Sequence, residues 1–186
     1  MKKSYITFLS LLFSFQSWSF GEPSIQKVKP IYNTNPSLGC TTTLPGAAEP
    51  ENIRFVKSWS AYVAQKSFSF KHDNMDGQLK QLQFCYSKAG WTQFSEALKK
   101  SNNINLISTH QLLSSTQVIG PIQVNHHPQY QSWTAVVPLR VVYQNQKQKI
   151  IQEINVHLTI NQLKNNQLAV IQIVGKPTHR KLRPHQ

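Results

Sequence analysis

Residues 133–143 read WTAVVPLRVVY. Trp133, Ala135, Val137, Leu139, Val141 and Tyr143 put an apolar side chain at every second position, the period of a strand with one buried face. Pro138 falls on the opposite face. Proline has no N–H to offer a ladder, so an edge or a bulge is expected there. A second alternating run follows at Ile154, Val156, Leu158 and Ile160, set against Asn155, His157, Thr159 and Asn161. Asn145-Gln146-Lys147 predicts the turn between the two, and Asn165-Asn166 predicts another before Leu168 to Val174. Consecutive strands joined by short polar turns make an antiparallel meander. Upstream, Gln117 to Asn125 is a further strand candidate bent at Gly120-Pro121, and Ile104 to Thr109 reads as extended.

Before residue 104 the period is helical. Glu49, Pro50 and Glu51 suit a first turn, because proline is pre-set there and acids complement the dipole. Ile53, Val56, Ser60 and Val63 then share one face, with Phe55, Trp59 and Tyr62 beside it, and the helix is expected to end near Ser67. Asp76 is the expected N-cap of a second helix carrying Leu79, Leu82, Cys85 and Tyr86, broken over Ser87 to Gly90. A third helix carries Trp91, Phe94, Ala97 and Leu98 and ends in Lys99-Lys100. Helices first and strands after predict an α+β fold: N-terminal helices packed on one face of a curved antiparallel sheet.

The ends have other compositions. Lys2 and Lys3 precede an apolar run from Tyr5 to Phe15, and Ser17 and Ser19 are small residues at cleavage spacing, so residues 1–19 read as a signal peptide. The alternative is an uncleaved anchor. The run is short against the roughly 20 apolar residues of a membrane span. Residues 20–50 form a Pro-rich arm whose composition predicts a spacer with no core of its own. Ser37-Leu38-Gly39-Cys40 superficially resembles a lipoprotein site, but the cysteine lies too far beyond the apolar run. The folded unit is expected over 51–175, followed by a basic tail at 176–186.

The formal charge is +13, from 20 Lys and Arg against 7 Asp and Glu; without Lys2 and Lys3 it is 18 − 7 = +11. Such a balance favours anionic neighbours, and in an exported protein these are lipid head groups, acidic polymers or acidic proteins. No nucleic acid is expected outside the cytoplasm. Lys176, Arg180, Lys181 and Arg183 concentrate the charge and are the candidate contact to an anionic surface. The two cysteines, Cys40 and Cys85, are candidates for a disulfide in an oxidising compartment; two free thiols are the alternative.

Catalytic chemistry is sparse. Glu51, Asp73, Asp76, Glu96 and Glu153 are the carboxylates of the folded unit, and their spacing suggests no acid–base pair. Glu153 reads as the solvent side of a strand. His126-His127-Pro128 reads as a loop, without further ligands at metal spacing. No nucleophile or phosphate-loop motif appears, so no enzyme activity, cofactor or metal is expected. Trp59, Phe84, Trp91, Phe94 and Trp133 either fill the core or line a cone between helices and sheet.

Residues 84–101 read FCYSKAGWTQFSEALKKS. Phe84, Gly90-Trp91, Phe94 and Ala97-Leu98 in this stretch form a spaced constellation. With Trp59, Ala61, Phe70, Asp73, Gln78-Leu79, Trp133 and Pro138, it resembles the IcmL/DotI family of type IVB secretion proteins over residues 53–175. The resemblance implies a nuclear-transport-factor-2-like cone in the periplasm, similar to the bridging inner-membrane component of type IVA machines. It implies a structural role, with self-association into a homo-oligomer and contacts to other envelope subunits of the secretion system. The family's core-complex members carry a full membrane span before the domain. The shorter apolar run here points instead to a soluble periplasmic form or a released protein, with an anionic membrane surface as a further partner.

Overall fold

Strand β3, Ser132–Gln144, is the axis of the fold in a computed structural model of the protein, which describes residues 38–46 and 49–178. β1 (Leu113–Val118) and β2 (Gln123–His127) lie end to end along one edge of β3. β4 (Lys149–Gln162) pairs along the other edge, and β5 (Leu168–Pro177) pairs with β4. Every pairing is antiparallel. The expected single strand over Gln117 to Asn125 is thus two strands, turned inward at the buried Ile122 beside Gly120-Pro121.

Of the two expectations for Pro138, an edge or a bulge, the edge does not hold, and an irregularity in the ladder is found. β3 is paired on both sides, but the ladder to β1 and β2 is interrupted opposite the proline, between the Val118–Leu139 and Gln123–Val136 pairs. The N–H of Ile119 donates to the Pro138 carbonyl at 3.0 Å. A residue's N and C=O point to the same side of a strand, so the missing N–H of Pro138 faces the interruption.

The helices are α1 (Glu49–Phe68), α2 (Met75–Leu82), α3 (Lys88–Lys100) and α4 (Asn103–Thr109), with a 3-10 turn at Gln83–Cys85. Val56, Trp59, Ser60, Val63, Ala64 and Ser67 of α1 are buried, and the helix lies across β1, β2 and β3. Two caps differ from expectation. Asn74, not Asp76, holds the N-cap position of α2, and Asp76 lies in the first turn. Ser87 does not break a helix but caps one: its Oγ accepts the Gly90 N–H at 3.0 Å, which places Gly90 inside α3. Ile104 to Thr109 is helical, not extended. Asn102 turns left-handed (φ 59°) and redirects the chain, and Ile104 and Ile107, three apart, face the core.

Trp59, Trp133, Leu139, Leu158, Ile160 and Leu168 are the largest fully buried side chains, between the helices and the inner sheet face. The outer face carries the alternate residues. There Arg140 donates to Glu153 Oε1 across the β3–β4 pair, with Nη2 at 2.8 Å, so the strand carboxylate read as solvent-facing is ion-paired and half-buried.

Candidate functional site

The arm is more than a spacer where it is described. Cys40 and Cys85 are joined by a disulfide with Cα atoms 4.3 Å apart, tying residues 45 apart in sequence. Around it the Trp59 indole N–H donates to the Gly39 carbonyl at 3.3 Å, and the Leu44 N–H donates to the Asn166 carbonyl at 2.8 Å. Thr43 bridges Gln167, and Leu44 is buried in the core. Apolar burial of Leu44 is what the Pro-rich composition of the arm concealed.

After the disulfide turn the chain runs against β5. Tyr86 forms a parallel bridge to Val170, and the Ser87 N–H donates to the Val170 carbonyl at 3.0 Å. Gly90 then passes over the same carbonyl so closely that a Cβ would clash with backbone. Glycine at this position is a packing requirement. Trp91 and Phe94 on the next turn gather around Tyr86, with centroids 5.7 and 5.1 Å from its ring. The Tyr86 hydroxyl and Ser67 Oγ lie 2.7 Å apart, and Ser67 Oγ donates to the Val63 carbonyl at 2.8 Å. Burial raises the Tyr86 pKa well above the ordinary phenol value; the Ser67 hydrogen bond opposes this only in part.

Beyond this cluster lies a cavity of about 90 Å³ between α1, α3, α4 and the sheet. Phe68, Phe94, Leu98, Ile107, Tyr143 and Ile173 are large apolar side chains on its wall. Gln93, Asn103 and Gln172 supply amides at it, and Ala97 and Gly90 border it. Burial also raises the pKa of Tyr143. The sequence reading picked out Phe94, Ala97, Leu98 and Gly90 but missed Phe68, Ile107, Ile173 and Gly175. Gly175, small and opposite Phe68, was the available signal.

The remaining predicted residues divide. Trp59 and Trp133 are core, and Trp91 is half-buried. Phe84 is neither core nor cone: it is 66% exposed on the 3-10 turn, next to the disulfide. Its neighbour Cys85 takes the inward position instead. His126 and His127 end β2 and are not in a loop. The His126 ring stacks on Trp133 at 3.8 Å, with Nδ1 3.1 Å from Glu49 Oε1. Lys176 stands exposed on β5 and not in a tail. Its charge, after burial as the larger cause, helps lower the pKa of His157 on β4. Arg180, Lys181 and Arg183 lie outside the described residues, as does the expected signal peptide. Among the described residues no helix is long and apolar enough to cross a membrane, and no three His, Cys, Asp or Glu gather as a metal site.

Residues 17–177 match the family model T4BSS_DotI_IcmL, described as a type-IV b secretion system, inner-membrane complex component. No curated protein matches. Solved structures give the fold. An IcmL-like type IV secretion system protein from Legionella pneumophila superposes with a TM-score of 0.65 at 19% identity, covering 70% of this chain and 96% of that one. The periplasmic domain of DotI gives 0.62 at 23%, covering 66% and 94%. VirB8 of Agrobacterium tumefaciens gives 0.53 at 8%, covering 73% and 98%. The expected cone of helices on a curved antiparallel sheet is therefore the fold observed. With a family model spanning nearly the whole described domain, the chain belongs to the DotI/IcmL family of type IVb secretion system components.

Proposed function

We propose that the protein works in the periplasm as a non-enzymatic assembly or accessory component of a type IVb secretion system, through contacts with other envelope subunits and with copies of itself. The observation that carries this reading is where the family's residues go. Gly90, Trp91, Phe94 and Trp133 are spent on seating α3 against β5 and filling the core, and among the described residues Tyr143 is the one titratable side chain on the cavity wall. In the same reading residues 1–19 direct export and are removed, and residues 20–50 lead to the domain.

An in-frame deletion in the native host tests it, with translocation of a reporter-tagged effector as the readout. Loss of translocation, restored by the full chain, is the expected result; unchanged translocation together with no cross-link to any secretion subunit sinks the proposal. Fractionation and intact mass distinguish a mature chain starting at Phe20 from one that keeps its apolar run in the inner membrane.

The cavity favours one alternative, an exported binding module that takes an apolar ligand there or meets an anionic surface through Lys176, Arg180, Lys181 and Arg183. Salt-sensitive flotation with anionic vesicles, absent with neutral ones, is the result that reading requires.

A further inference from the structure

The wall of the cavity between α1, α3, α4 and the sheet selects by charge. Phe94, Leu98, Ile107 and Ile173 line it with apolar side chains. Among the described residues no Lys, Arg, His, Asp or Glu lines it. An ion entering it would lose hydration and meet no counter-charge, which is strongly unfavourable. A neutral apolar compound pays no such penalty and gains from burial.

The polar groups of the wall differ in what they already bind. Ser67 Oγ donates to the Val63 carbonyl and shares a hydrogen bond with the Tyr86 hydroxyl, and Ser114 Oγ donates to the Phe68 carbonyl. Both serines are committed to their neighbours. Tyr143 is not: among the described residues its hydroxyl has no hydrogen-bond partner, and burial is the one cause that raises its pKa. At neutral pH it is an uncharged phenol with one hydrogen to donate. Gln93 on α3 and Gln172 on β5 are exposed residues of the same wall and mark the mouth.

The size is also restrictive. At about 90 Å³ the cavity is larger than the ~30 Å³ that a water takes in the liquid and smaller than the ~150 Å³ apolar cavity that takes up benzene. One ring, with its polar end reaching toward the mouth, or a short aliphatic chain is the limit.

We propose that this cavity binds uncharged compounds of one ring or a short aliphatic chain, held by a hydrogen bond from the Tyr143 hydroxyl, and that it rejects anions. This rests on the binding-module reading, and only on its cavity, not on its basic residues. The rejection of anions separates the cavity from the surface. A chain of net charge +13 draws anions by long-range attraction, so a preference for the neutral compound is the reverse of what surface binding gives.

NMR titration of the isotope-labelled full chain with benzyl alcohol and with benzoate, a neutral and an anionic compound of similar size, tests this. Saturable shifts gathered around Gln93, Phe94 and Gln172 are expected with benzyl alcohol, and binding there at least about tenfold weaker with benzoate at neutral pH. Ala97→Leu, which fills the cavity from α3, is expected to abolish the shifts. Tyr143→Phe removes only the hydroxyl and is expected to weaken benzyl alcohol about fivefold while leaving toluene unchanged, a test that stands even if the leucine variant does not fold. Equal binding of benzoate at these residues overturns the proposed selectivity and leaves the binding-module reading in place. Unchanged benzyl alcohol affinity in Tyr143→Phe overturns the role of the hydroxyl. No saturable shift with any of the three compounds overturns the proposal and the cavity reading together.

Discussion

Gly90 on α3 and Val170 on β5 meet backbone to backbone: the Val170 carbonyl occupies the space that a Cβ on Gly90 would take. In an exposed helix, replacing glycine by alanine stabilises by about 1 kcal/mol. Here Gly90→Ala is expected to act in the opposite direction, destabilising by about 2 kcal/mol as α3 is pushed off the sheet. Chemical denaturation of the single variant checks the sign. An unchanged or raised midpoint shows that the contact does not set the seating of α3.

The Cys40–Cys85 disulfide closes a long loop over a packed arm. Its replacement by two serines is expected to cost about 4 kcal/mol in the chain-entropy model. It should also release the Trp59 indole from Gly39, expected as a change in the indole N–H resonance. Full retention of both stability and resonance means the arm is held by Leu44 and its backbone contacts instead.

Tyr86 is kept neutral by burial while the unfolded chain ionises it near its ordinary value of 10.0. Above that pH the unfolded state binds fewer protons than the fold, so this contribution is whole below pH 10.0 and is lost as pH rises. Tyr143 acts in the same direction. Tyr86→Phe is expected to lose about 1 kcal/mol at neutral pH with the Ser67 hydrogen bond, yet to show a shallower fall in alkali than the parent. Parallel alkaline profiles contradict this.

His157 titrates below its ordinary value, first through burial and then through Lys176. The unfolded chain protonates this imidazole more readily, so the contribution is present above pH 6.5 and is lost as pH falls. Lys176→Gln is expected to move the His157 titration part of the way back up, read from its ring proton shifts by NMR. No movement places the cause in burial.

Much of the sheet was legible in the sequence. Trp133 to Tyr143 and Ile154 to Ile160 alternate cleanly, and alternation is a property of the extended backbone itself. The helix of Trp91, Phe94 and Leu98 and the family constellation could be read the same way. Short segments were less legible: Ile104 to Thr109 holds too few apolar residues to separate a period of two from one of 3.6. Phe84 and Cys85 are neighbours in sequence, and nothing local says which of them turns inward.

The sequence by itself determined the local periods, the order of helices before strands, the basic charge and the family. The tertiary structure decided that Pro138 sits in a central strand, that Leu44 belongs to the core, that Gly90 answers to Val170, and which apolar side chains surround the cavity. The physical reason is separation along the chain. A residue's period follows from its own backbone geometry, whereas a broken ladder opposite Pro138, or a carbonyl of Asn166 waiting for Leu44, exists only after distant segments have paired.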